Sequence, residues 1–319
     1  MIVAPLRSAP TSSFLARISA GQIGGVILLG NGWTSQSQLS ATITQLQQVA
    51  CRRGDPLLIG VDQEGGVVRR FPWAPPTVAA SEMSSTAIAR SQASGAAAAL
   101  RQVGVGIDFA PVSDTISTPR AFLGSRSFGS DPTLVAARAA AFVQGLQTGG
   151  VAATAKHFPG LGSAVANTDQ YPVTIDRSRA FLTARLAPFR AAIAAGAQLV
   201  MVSNASYPAL DPTGVQAVFS HAIVTGLLRD TLGFGGVVVT DSLSATSVAD
   251  VADQPAKALA AGVDLLLYGT TSASVTGYAT LVHDAARSAT VRSELAAAIA
   301  RVKALKAWLA AHGGEATCT

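Results

Sequence analysis

Val151-Ala-Ala-Thr-Ala-Lys-His-Phe-Pro-Gly-Leu-Gly162 decides how the rest of the chain is read. It opens on an apolar run, Val151 to Ala155, that reads as a buried strand. A cation and an imidazole follow side by side, Lys156 and His157. Pro159, Gly160 and Gly162 then turn the strand into a loop, which ends in the polar cluster Asn167, Thr168 and Asp169. Charged side chains straight after a buried strand must face water or a ligand, because burial without partners is costly.

Working outward, the same unit recurs. Apolar runs at Ile2–Leu6, Gly24–Leu29, Leu57–Val61, Gly106–Val112, Val151–Ala155, Gln198–Val202, Gly236–Thr240 and Asp264–Leu267 read as eight strands. Helical stretches are expected at Gln38–Arg52, Ser84–Val103, Pro132–Thr148, Arg177–Ala195, Ala222–Leu232 and near Gln254–Ala261, with further helix to the C-terminus. Near-continuous Val/Ile/Leu strands mean burial on both faces, as in a parallel sheet. A doubly wound sheet is the alternative, but eight such units fit an α/β fold closed into a single (β/α)8 TIM-type barrel. No break in composition marks a second unit, so residues 1–319 are expected to form one domain.

The bulk composition excludes several classes. The chain is 49% hydrophobic and 13% charged, enough to build a large core. Its net charge is +5, but the basic residues form no run, which argues against a nucleic-acid partner. No apolar stretch is long enough for a membrane span. Cys51 and Cys318 form no CxxC, Cys318 lies in a polar tail, and no structural disulfide is expected. The four histidines lack paired spacing, so no zinc site is expected. The chain starts directly on an apolar strand, without a basic stretch, apolar segment and cleavage site, so no signal peptide is expected within it. The compartment, cytoplasmic or exported, and the oligomeric state stay open.

In such barrels reacting groups sit where strands end and loops begin. Those positions hold Asp62, Asp114, Lys156, His157, Asn204 and Asp241, while Arg70 and Arg126 stand in long loops. Each has a plainer reading. Asp241, after Val237-Val-Val-Thr240, is a candidate helix N-cap; Asp62, before Gly65 and Gly66, is a candidate turn residue. Each arginine alone reads as a surface residue. Neighbours in a strand face opposite sides, so Lys156 and His157 share one cavity only if the strand kinks. A lysine at a strand end is also how Schiff-base enzymes place a nucleophile. Trp33 and Trp73, in loops, suit sugar stacking and loop packing equally.

An ordered set of motifs then carries a specific match. Asp62-Gln-Glu-Gly-Gly66 with Arg70-Phe71, Asp108-Phe-Ala-Pro-Val112 with Asp114, and Gly124-Ser-Arg-Ser-Phe-Gly129 come first. Lys156-His-Phe-Pro-Gly160, Met201 to Asp211, and Gly233-Phe-Gly-Gly-Val-Val-Val-Thr-Asp-Ser-Leu243 follow in order. From about residue 20 to about 270 the chain resembles glycoside hydrolase family 3, in particular its single-barrel β-N-acetylhexosaminidases. The resemblance implies a retaining hydrolase of an N-acetylglucosamine-containing glycan, a cell-wall muropeptide or a chitin fragment. It implies Asp241 as nucleophile, and Asp62, Arg70, Arg126, Lys156 and His157 as residues that bind the sugar hydroxyls. No metal or cofactor is implied.

The acid/base is where this sequence departs. The hexosaminidase pattern reads KHFPGHG and then D-S-H, whose Asp–His pair supplies the proton. Here Leu161 replaces a histidine, and Asn167-Thr168-Asp169 stands at the Asp-Ser-His positions. Two readings follow. Asp169 serves as the acid/base with its pKa raised by burial or by the charge of Asp241, or the chain is a glycan-binding protein with impaired catalysis.

Overall fold

The computed structural model describes residues 1–313 and residue 318. Its strands are β1 (Ile2–Leu6), β2 (Gly25–Leu28), β3 (Leu58–Val61), β4 (Gln63–Gly65), β5 (Val68–Arg69), β6 (Ile107–Asp108), β7 (Ala152–Phe158), β8 (Leu199–Val202), β9 (Val237–Thr240) and β10 (Leu266–Leu267). Eight of them form one parallel sheet in the order β10-β1-β2-β3-β6-β7-β8-β9. A parallel bridge from Val239 to Leu265 joins its two ends. The sheet is therefore a barrel, as the eight apolar runs implied. β4 and β5 form a separate antiparallel hairpin at the upper end of β3.

The strands are apolar on both faces because each face has its own core. Val3, Ile27, Leu58, Ile107, Leu199, Met201, Val237, Val239 and Leu267 point inward. Their neighbours Val26, Leu28, Ile59, Val61, Val200, Val202 and Val238 point outward against the helices. Phe109 fills the interior beside Gly60, where a Cβ would stand only 2.7 Å from its ring, so only glycine fits there. Each fully buried aliphatic side chain contributes about 1.5–3 kcal/mol relative to exposure, and the two faces together make a deep core.

Helices Gln36–Cys51, Thr86–Gln102, Pro132–Thr148 and Gln254–Ala261 lie where the sequence predicts them. Ser35, Ser85 and Asp131 accept backbone N–H groups at three of their starts. The stretch expected as one helix over 177–195 is two, Arg179–Ala184 and Ala187–Ala194. Pro188, in the first turn of the second, cannot supply the N–H that a continuous helix would need. The helix Ser12–Ser19 has no counterpart in the sequence reading, being short and rich in serine.

The last helix, Ala289–Ala311, crosses beneath the barrel and plugs it with Val302, Leu305 and Leu309. Lys306 in that helix reaches Asp55 at 2.6 Å, just beyond the helix that ends at Cys51. This path overturns the expectation of no structural disulfide: Cys51 and Cys318 are bonded, with Cα atoms 5.2 Å apart. Their separation of 267 residues hides a proximity that only the barrel closure creates.

Candidate active site

A cavity of about 420 Å³ opens at the upper end of the barrel, where the parallel strands terminate. Asp62, Arg70, Arg126, Lys156, His157, Asp169 and Asp241 all line it. The structure thus brings these seven together from four strand-end loops, after β3, β6, β7 and β9, while Asp114 and Asn204, also singled out by the sequence, do not line the cavity.

The Asp62 segment shows how. Gln63 turns away from the cavity. Its backbone N–H donates to Asp108 at 3.0 Å, and its side-chain amide donates to the carbonyls of Phe71, Ala74 and Pro75. That anchors the hairpin, whose tight turn uses Gly65 at φ +95° with Val78 O in the space of a Cβ. Alternation then sends Asp62 and Glu64 to the cavity side.

Glu64 is the residue that the sequence reading did not single out. It takes both ends of the Arg126 guanidinium at 2.8 Å, a bidentate pair, and the Lys156 ammonium at 2.6 Å. Lys156 also donates to Asp62 at 2.7 Å. Burial alone would raise the Glu64 carboxyl, but Lys156 and Arg126 outweigh it and hold it well below the usual carboxylate range. Burial likewise opposes the charge on Lys156, yet Asp62 and Glu64 prevail and raise it. A lysine kept as an ammonium between two carboxylates is not a Schiff-base nucleophile, which removes the lyase reading. The signal in the sequence was the D-x-E spacing after a strand end, which places two carboxylates on one side.

β7 is irregular where its two charged residues stand. The Lys156–His157 peptide is cis, and the register with β8 shifts between Ala155 and Phe158. Lys156 and His157 both line the cavity, which settles the question of opposite faces. Asp114 sits one layer behind. It accepts His157 Nδ1 at 2.7 Å and the His157 backbone N–H at 3.0 Å, leaving Nε2 of the ring for the cavity. Asn204 is also a layer back; its amide donates to Ser242 O at 2.8 Å, beside Asp241.

Asp241 ends β9. Its Oδ1 accepts the Ser242 N–H at 2.7 Å, and it caps no helix. The loop of Asp169 lines the same cavity and is bonded to the loop that follows Asp241. Thr246 donates to Asp169 O at 3.1 Å, Ser247 donates to Thr168 O at 3.3 Å, and Asp169 N–H donates to Asn167 Oδ1 at 3.0 Å. Burial of its carboxyl and the charge of Asp241 raise the Asp169 pKa, against smaller opposing effects of His157, Asn167 and Arg126. Leu161 lines the wall where the hexosaminidase pattern has histidine. Trp33 and Trp73 are not part of the cavity. Trp33 is buried and donates to Leu29 O at 2.9 Å; Trp73 stacks on Phe71 with ring centroids 5.2 Å apart. They are loop packing, not sugar platforms. Among the described residues, no group of three His, Cys, Asp or Glu side chains is arranged to hold a metal ion, and no helix is long and apolar enough to cross a membrane.

Comparison with known proteins agrees with this geometry. Residues 5–305 match the model of the glycosyl hydrolase family 3 N terminal domain. The chain belongs to glycoside hydrolase family 3. Among curated relatives it is 34% identical to a β-hexosaminidase of Nitrosomonas eutropha over 271 residues, 81% of this chain and 76% of that protein. It is 36% identical to a β-hexosaminidase of Stenotrophomonas maltophilia over 259 residues, 77% and 76% of the two chains. Among solved structures, a family 3 β-N-acetylglucosaminidase from Paenibacillus superposes with TM-score 0.91 at 30% identity, covering 97% of this chain and 61% of that longer one. A β-N-acetylhexosaminidase from Beutenbergia cavernae superposes with TM-score 0.88 at 33% identity, covering 98% and 96%. The family 3 chain described here is accordingly a glycoside hydrolase, and its likeness is to the β-hexosaminidase branch.

Proposed function

We propose that this family 3 barrel is a retaining β-N-acetylglucosaminidase acting on cell-wall muropeptides or chitin-derived glycans. The observation that carries the reading is a pair of carboxyls lining one cavity, Asp241 and an Asp169 raised by burial and by the charge of Asp241. Two carboxyls in unequal environments are what retaining hydrolysis requires, one ionised to attack and one protonated to donate.

In this reading the terminal sugar lies against Asp62, Arg70, Arg126, Lys156 and the free Nε2 of His157. Carboxylates accept from its hydroxyls and the cations donate to them. Lys156 and Arg126 are fixed in place by Glu64 before substrate arrives, so little reorganisation is needed. Asp241 attacks the anomeric carbon through an oxocarbenium-like transition state as Asp169 protonates the departing oxygen. Asp169, now ionised, takes a proton from water, which cleaves the glycosyl-enzyme. No metal or cofactor enters the scheme. The disulfide supports residence in an oxidising compartment, where wall fragments and chitin are met.

The test is hydrolysis of an unactivated N-acetylglucosamine disaccharide by wild type and Asp169→Asn. Turnover by wild type that is lost in the variant supports Asp169 as the acid. A wild type that binds the disaccharide without cleaving it would leave a glycan-binding protein on a hydrolase barrel.

A further inference from the structure

The cavity that receives the terminal sugar has one aromatic wall that the scheme above does not use. Phe122 lines it, half-buried, with the core behind the ring. Its position relative to the acid is fixed by the backbone. Phe122 N–H donates to Ala164 O at 3.0 Å, and Ser117 N–H donates to Gly162 O at 3.0 Å. The Ser117 and Ser163 hydroxyls meet at 2.5 Å. Gly162 packs so closely that a Cβ would stand 2.0 Å from Thr115 O. The segment bearing Phe122 is thus bonded along its length to the loop that carries Asp169.

A general acid must sit beside the oxygen that it protonates, which is the oxygen of the leaving group. Phe122 and Asp169 line the same cavity from two segments that are bonded to each other. On the same loop Val165 is 60% exposed and Tyr171, two residues beyond Asp169, is 57% exposed.

We infer that Phe122 forms the floor of a leaving-group subsite that takes a pyranose ring, stacked by its C–H face on the aromatic ring. This rests on Asp169 being the acid, since that assignment tells which side the leaving group occupies. The subsite binds a second neutral sugar and contributes to recognition of a disaccharide over a single sugar.

The experiment is calorimetric binding of N-acetylglucosamine and of its β-1,4-linked disaccharide in an Asp241→Asn background, where no turnover interferes. The disaccharide is expected to bind roughly tenfold tighter than the monosaccharide, the size of one good aromatic contact. Phe122→Ala and Phe122→Leu should both erase that difference while leaving monosaccharide affinity in place, and Phe122→Tyr should keep it. Phe122→Leu retains most of the apolar volume and guards against a folding defect in the alanine variant. A disaccharide preference unchanged in both variants, or absent from the parent, overturns the subsite. Because nothing here depends on catalysis, a wild type without hydrolytic activity would sink the proposed function and leave the binding result readable.

Discussion

At the lower end of the barrel Asp264 is completely buried and accepts from every side: Arg229 Nη2 and Val238 N–H at 2.8 Å on one oxygen, Arg301 Nε at 2.7 Å on the other. At the upper end Glu64 is matched in the same way by Lys156 and Arg126, but around it Asp62, Asp169 and Asp241 face a cavity. Arg229 at the bottom also donates to the carbonyls of Phe234, Gly236 and Gly262, tying β9 to the turn before β10. One cluster is a closed latch. The other is a latch with reactive groups arranged on its open side. Both bury ions, so burial and ion pairing alone do not mark a site; what differs is whether carboxylates remain facing a space that a substrate can fill.

The strongest way to sharpen that contrast is Asp241→Ala. Turnover should fall by at least about 10⁴-fold, as for loss of a covalent nucleophile, with the melting temperature little changed because Asp241 braces nothing beyond its neighbour's N–H. Activity near the wild-type level would remove Asp241 from the chemistry. Next is Asp169→Asn, where an unactivated disaccharide should lose about 10²–10⁴-fold in kcat/KM, the range for general acid catalysis. An aryl glycoside with a good leaving group should lose much less. Equal losses on both substrates would mean that Asp169 shapes the loop and does not donate the proton.

At the other end, Asp264→Ala should cost stability and spare chemistry. Leaving Arg229 and Arg301 without their carboxylate should destabilise the fold by about 3 kcal/mol, the lower range for breaking a buried pair. Denaturant unfolding reads this directly. KM and kcat of the folded fraction should match wild type. A variant with full stability and altered KM would show that the two ends of the barrel are coupled, contrary to their separate packing.

The same contrast explains what the sequence discloses. Eight strands are legible because each is apolar on both faces, and Asp62, Lys156, His157 and Asp241 are legible because charge after such a run is unusual. Glu64 shows only as the second carboxylate of a D-x-E spacing, because its role lies in the hairpin that turns Gln63 away and leaves Glu64 paired with Lys156. The pairing of Cys51 with Cys318 depends on the last helix crossing beneath the barrel, a closure that no local pattern records. Phe122 is equally silent in the sequence, since an aromatic in a loop packs in the core as readily as it lines a cavity. The break at Pro188 was legible in principle, as proline in a helical run, but it falls in a stretch whose apolar periodicity is otherwise continuous.

The finest expected effect concerns Asn167, which stands where the hexosaminidase pattern has the Asp of its Asp–His pair. Asn167 accepts the Asp169 N–H at 3.0 Å, and its side chain also favours the ionised form of the Asp169 carboxyl. The groups facing that carboxyl act in both directions: burial and Asp241 raise it, while His157, Asn167 and Arg126 lower it. Asn167→Ala removes one lowering contact and leaves the raising ones, so Asp169 should keep its proton to higher pH. The acid is needed in its protonated form, so kcat/KM on an unactivated disaccharide falls as pH rises through that pKa. The alkaline limb should therefore move upward in the variant, by less than about one pH unit for a single hydrogen bond. A lower rate with an unmoved limb would mean that Asn167 only shapes the turn. A limb moved downward would mean that loss of Asn167 lets water reach the carboxyl, so that relief of burial outweighs the lost hydrogen bond. The pH profile thus separates an electrostatic role for Asn167 from a merely structural one, on the single carboxyl that distinguishes the open end of this barrel from its closed one.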